Sequence, residues 1–195
     1  LIRDDITWNG DECLKEFACQ AGRAHSYFVH WNKVTKRSVL LKAKEELEST
    51  DIIMHRHTYS EDAIINFFVM RNAKKVSNIH TGYYFYRIHE DQSVNASNKD
   101  KLISQIDDMS RSFNIMLANV GKGMYAKEVK YGIIRWRELM SRTHYSYAKA
   151  GKHTDLYDYI KMAYDVTTLS KSTTKDGEVY AKTQLLGDNF DEIDK

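Results

Sequence analysis

Apolar residues recur every three or four positions over several stretches of this chain, and each such stretch predicts a helix with one face to bury. Leu14, Phe17, Ala18 and Ala21 follow an Asn9-Gly10-Asp11 turn and predict a first helix over about residues 11–23. Leu102, Ile106, Met109, Phe113, Met116, Leu117 and Val120 make a longer stripe that stops at Gly121 and Gly123. Val129, Ile133, Trp136 and Met140 predict another helix. Leu156, Tyr159, Ile160 and Ala163 predict a last one beyond Gly151.

Between these helices the texture is mixed. Ser26-Tyr27-Phe28-Val29-His30-Trp31 is aromatic and β-branched and reads as a strand running toward Val34, followed by a short helix through Ser38 to Lys44. Residues 45–60 show no clean period and read as a loop. Ser60-Glu61-Asp62 then sets a capping residue and two carboxylates before the run Ala63 to Arg71, a helix with its acidic groups at the positive end of the dipole. Lys75 to Ile79 and Tyr83 to Arg87 read as strands on either side of a Thr81-Gly82 turn. Ser170 to Gly177 is polar and Asp188 to Lys195 acidic, which predicts a flexible tail.

Composition narrows the function classes. At 195 residues, 42% hydrophobic and 29% charged, the chain is long and apolar enough to bury a core without disulfide or zinc staples. Lys and Arg balance Asp and Glu at 13 against 13 in residues 1–95 and 16 against 14 in the rest, which argues against a nucleic-acid partner held by bulk charge. The longest apolar run, Ala63 to Met70, is far short of the roughly 20 residues that cross a bilayer, and residues 1–30 lack the parts of a secretory signal. Only Cys13 and Cys19 are present, so a reducing, cytoplasmic setting is expected. Proline is absent, which excludes rigid Pro-rich linkers. The chain opens on Leu1 rather than Met, and a portion of a longer protein is expected.

Three segments carry chemistry. They are Trp31-Asn32-Lys33-Val34-Thr35-Lys36-Arg37-Ser38-Val39-Leu40, then Ser60-Glu61-Asp62, then Ala73-Lys74-Lys75-Val76 running into Tyr83-Tyr84-Phe85-Tyr86-Arg87-Ile88-His89 and Ser93-Val94. In this order they resemble the C-terminal half of a bacterial family 2 inverting glycosyltransferase, the type that builds cell-surface glycans, over about residues 25–97. Inverting transfer needs a carboxylate to take the proton of the attacking hydroxyl. The resemblance assigns that role to Asp62, with Glu61 beside it contacting the acceptor or shaping the site. It places Arg87, His89 and Ser93 on the donor side, where an Arg fork suits phosphate oxygens and a neutral His could complete a metal shell. Trp31 and Lys33 would line the acceptor groove, by stacking on sugar and donating to hydroxyls.

The resemblance implies an α+β, helix-rich chain: the C-terminal part of a glycosyltransferase A fold, Rossmann-like, with a short strand set and a helical C-terminal extension. It implies an acceptor-side half over residues 1–97, the extension over 98–169 and a flexible polar tail over 170–195. The partners it implies are a nucleotide sugar and a glycan or lipid-linked acceptor. The cofactor is a divalent metal, manganese or magnesium, held mainly by an Asp-X-Asp motif absent from this sequence. The chain alone is therefore expected to be inactive. Competing readings are that Glu61 and Asp62 only cap a helix, and that the chain is a noncatalytic glycan-binding or protein-assembly module. His55 and His57, with His80 and His89, are further metal-ligand candidates without a supporting Cys or Glu spacing. Lys127, Lys130, Arg135, Arg137 and Arg142 share one helical stretch, which reads as a solvated basic face, with peripheral contact at the inner face of the membrane as the competing reading.

Overall fold

The computed structural model describes residues 6–22, 25–50, 57, 59–78 and 98–164. In chain order the elements are β1 (Thr7–Asn9), α1 (Asp11–Ala21), α2 (His25–Phe28), α3 (Arg37–Glu48), α4 (Glu61–Asn72), β2 (Lys75–Ser77), α5 (Lys99–Ala118), α6 (Ala126–Ala150), a 3-10 turn (Thr154–Leu156) and α7 (Tyr157–Ala163). The described residues are thus α+β and helix-rich, with one small antiparallel sheet.

The helices assemble around Trp136 of α6. Its ring is 1% exposed and packs edge-on against Phe17 of α1 and Phe113 of α5, with centroids at 6.0 and 5.3 Å, while Phe28 of α2 lies tilted at 5.3 Å. α3 lies on α4, and α7 closes against α5 and α6. One apolar core therefore runs from Leu14 and Phe17 through Phe67 and Phe68 to Ile133 and Ile160.

α6 crosses close to α1 at Gly132. A Cβ there would meet the carbonyl carbon and oxygen of Ala18 at 2.6 Å. Backbone atoms inside a helix have nowhere to retreat, so Gly132→Ala is expected to destabilise the fold by about 1–3 kcal/mol despite alanine's better helix propensity. Urea unfolding checks this, and an unchanged midpoint would mean that α1 and α6 separate at little cost.

The end of α7 shows how α6 recruits charge to the core. Arg137, 3% exposed, donates from Nε to Tyr164 O at 3.0 Å, from Nη2 to Ala163 O at 3.0 Å and from Nη1 to Asn114 Oδ1 at 2.9 Å. The guanidinium thus satisfies carbonyls that the short helix leaves without intrahelical donors.

Several expectations need correction. Residues 26–31 do not form a strand: Ser26 to Phe28 lie in α2 and the chain then turns. Their aromatic content serves helix packing, with Phe28 against Trp136, rather than a β-ladder. α3 runs to Glu48, beyond the expected stop at Lys44, because Val39, Ala43 and Leu47 continue its inward face at four-residue steps. β1 was not expected. It is three residues long, and its partner is β2, in register Thr7↔Ser77, Trp8↔Val76 and Asn9↔Lys75. α6 reaches Ala150 because Ser141, His144, Tyr145 and Ala148 extend its buried stripe past Met140. The strand expected over 83–87, the turn before it and the tail over 170–195 lie outside the described residues.

Candidate functional site

α4 begins at Glu61 because the preceding residue turns the chain sharply. Ser60 occupies the N-cap with φ 67° and ψ 11°, left-handed backbone that costs a non-glycine residue about 1 kcal/mol or more. Its carbonyl accepts the amides of Ala63 and Ile64 at 3.0 and 3.3 Å. Its hydroxyl makes no cap bond to the helix, contrary to the expected Ser cap, because it is drawn into a cluster with other side chains. Ser60 Oγ lies 2.9 Å from Ser112 Oγ and 3.2 Å from His57 Nε2, and Ser112 Oγ lies 2.9 Å from the same nitrogen. Asp108 completes the group, with Oδ1 at 3.5 Å from His57 Nδ1 and Oδ2 accepting the Tyr59 amide at 3.0 Å. Burial pushes the His57 imidazole below its ordinary range, Asp108 opposes this, and the charge of Arg111 adds to it.

This cluster contains the groups of a Ser-His-Asp hydrolase, but the geometry suits a clamp. Ser112 is fully buried, the His57–Asp108 contact is long, and none of the four residues lines the cavity at the other end of α4. The bonds tie the first turn of α4 to α5. The sequence signal was Asp108 and Ser112, polar residues four apart bordering the apolar stripe of α5.

The clamp leaves Asp62 half-buried and Glu61 exposed at the mouth of α4. Four residues along, on the same side of the helix, Asn66 is fully buried and holds the turn that follows α2. Asn66 Nδ2 donates to Phe28 O at 2.6 Å, and the His30 Nδ1–H donates to Asn66 Oδ1 at 3.1 Å. That anchor places the turn carrying Trp31 and Lys33 beside α4, and Lys33 comes within electrostatic reach of Asp62. Asn66 was not anticipated as part of the site.

Trp31 is 41% exposed. Lys33 differs from expectation. Its ammonium donates to Ser26 O, Val29 O and Asn32 Oδ1 at 2.9, 2.5 and 2.8 Å, and these three acceptors use its three protons. Burial lowers its pKa to about 8, with the charge of Asp62 pulling the other way. Lys33 therefore fixes the end of α2, and it has no further proton to offer a substrate hydroxyl. Arg87, His89 and Ser93 lie outside the described residues, as do His55 and His80.

A cavity of about 720 Å³ opens where α4 ends, between β1, α2, the front of α3 and β2. Lys33 lies on its wall, and Asp62 does not. Asn72, also on the wall, is ten residues along α4 from Asp62, a span of about 15 Å at the helical rise. The described residues hold no group of three His, Cys, Asp or Glu side chains that would grip a metal ion. No family model, curated protein or solved structure matches this chain. The site is therefore argued from its own geometry.

The basic stretch on α6 is not one surface face. Arg137 is buried beneath α7, and Arg135 and Arg142 both pair with Glu138, whose carboxyl burial pushes up against the opposing pull of the two guanidiniums. Among the described residues, no helix is long and apolar enough to cross a membrane.

One buried group near the clamp titrates in an accessible range. His144 of α6 is fully buried among Tyr59, Tyr147 and Tyr164, and the Tyr164 hydroxyl donates to its Nδ1 at 2.5 Å. Desolvation lowers its pKa to about 4. The unfolded chain takes up this proton near pH 6.5 and the folded chain only near 4, so acid favours unfolding across that window. Stability is expected to fall by about 1 kcal/mol between pH 6.5 and 5.5 from this group, and His57 acts in the same direction. Urea unfolding at the two pH values, with His144→Gln flattening the dependence, checks the assignment.

Proposed function

We propose that this chain is the acceptor-side portion of an inverting glycosyltransferase with a glycosyltransferase A fold, moving sugar from a nucleotide sugar to a glycan or lipid-linked acceptor. The observation that carries the reading is the placement of Asp62. Its carboxylate sits half-open on the first turn of a clamped helix, beside a turn that presents the Trp31 ring. A general base needs this combination of fixed position and access to the attacking hydroxyl.

In this reading Asp62 takes the proton of the acceptor hydroxyl as that oxygen attacks the anomeric carbon from the face opposite the leaving nucleotide diphosphate. The Lys33 ammonium lies within electrostatic reach of Asp62. Trp31 orients the acceptor ring by stacking. Arg87, His89 and Ser93 are assigned to the donor side on the strength of the sequence resemblance. The divalent metal belongs to the donor half, and no step at Asp62 depends on it. The ordered motifs over residues 25–97 and the open, clamped carboxylate are what support the reading.

The test is transfer itself. Protein carrying the donor-binding half, given nucleotide sugar, manganese and oligosaccharide acceptors, is expected to form product that depends on Asp62. Robust transfer by Asp62→Asn would remove Asp62 as the base.

A further inference from the structure

We propose that the cavity at the end of α4 binds an anionic oligosaccharide, a glycan carrying carboxylate or phosphate groups along its length. Lys33, Lys36, Lys42, Lys74 and Lys75 reach its wall from three separate stretches of chain, and no Asp or Glu joins them among the described residues. Overall composition does not explain this, since residues 1–95 are charge-balanced. Pairing does not relieve it either. Among the described residues no carboxylate lies within ion-pair distance of Lys36, Lys42, Lys74 or Lys75, whereas Lys44 and Arg71, on α3 and α4, bond Glu48 and Glu46 at 2.8 and 3.5 Å. Four exposed ammonium groups around one concavity raise the local potential, and an anion that enters lowers it.

The rest of the wall suits sugar. The Trp8 and Tyr27 rings, with centroids 6.4 Å apart, offer apolar faces. The amides of Asn32, Asn72 and Asn78 supply donors and acceptors of the kind that hydroxyls need. The volume lies within the range of small-molecule sites, and the surface is concave, unlike one that meets a flat bilayer. The span of about 15 Å from Asn72 to Asp62 calls for an extended ligand if one molecule is to occupy the cavity and still reach the base. The choice of a glycan among anions rests on the acceptor reading above, whereas the preference for negative charge rests on the lysines alone.

Calorimetry on the chain at low salt tests the proposal with an oligogalacturonate, a glycerol-phosphate oligomer, neutral maltohexaose and phosphatidylglycerol vesicles. Binding of either anionic oligomer at least tenfold tighter than maltohexaose is expected, and which of the two binds tells carboxylate from phosphate recognition. The triple variant Lys36→Gln, Lys42→Gln and Lys74→Gln, all at exposed positions, is expected to weaken that binding about tenfold, at two- to threefold for each charge. Added salt is expected to weaken it as well. Equal affinity for neutral and anionic oligomers, an unaffected triple variant, or binding to vesicles alone would overturn the proposal. Anionic binding without any transfer by the longer protein would sink the enzyme reading and spare the cavity, and transfer to neutral acceptors alone would do the reverse.

Discussion

Asp62→Asn is expected to slow sugar transfer by about 10²–10⁴-fold, the usual worth of a positioned general base, while the chain stays folded. The amide keeps the shape of the side chain and loses only the capacity to accept a proton. Its structural cost is the lost interaction of a carboxylate with the first turn of α4 and with the Lys33 ammonium, each below about 1 kcal/mol. Rate and stability are thus separable in one variant. Glu61→Gln is the control, because Glu61 is exposed beside Asp62 and shares the same end of the helix dipole. If Glu61 only shapes the site, its variant keeps most of the activity. Measurement of kcat and KM for both variants, with thermal unfolding alongside, checks the assignment. A few-fold loss for Asp62→Asn would leave the pair as helix-end acids and nothing more.

Trp136→Ala is expected to cost about 3–5 kcal/mol, a large share of the 5–15 kcal/mol that holds a typical domain together. The indole is 1% exposed and touches rings from α1, α2 and α5, so its removal opens a cavity where four helices meet. The walls of that cavity are helix backbones and other large rings, which collapse poorly. For a chain of this size the loss corresponds to a fall in Tm of about 10 °C. Trp136→Phe retains a ring for Phe17 and Phe113 to pack against and is expected to lose less than half as much. Urea and thermal unfolding read both variants. A small effect for Trp136→Ala would show that the helices repack around the gap.

The connection between the two predictions lies in α4. Its inner face, Ile64, Phe67 and Phe68, belongs to the same core as Trp136, and its first turn carries Asp62. Packing of the far side of the helix therefore positions the carboxylate, and the His57, Ser60, Ser112 and Asp108 cluster fixes its rotation and end. Core variants that loosen α4 are expected to lower activity as well as stability, which is why the stability control for Asp62→Asn matters.

Periodicity located α1, α5, α6 and α7, and the Ser60-Glu61-Asp62 start with the apolar run behind it located α4 and the carboxylates at its mouth, because an apolar stripe and the residues at a helix start are local properties of the chain. Short elements escaped it. The aromatic run at Ser26 to Phe28 has strand-like composition, but Trp136, more than a hundred residues away, offers it a helix-packing surface. β1 exists only because β2, some seventy residues on, lies beside it. The same limit applies to the chemistry. Local sequence carried Asp62, Glu61, Trp31 and Lys33, and only the folded chain showed that Lys33 spends its protons on backbone and Asn32 oxygens, that Arg137 is buried under α7, and that Lys36, Lys42, Lys74 and Lys75 share one concave wall. A hydrogen-bond partner or a field depends on distance in space, and along the chain that distance is set by which helix faces meet.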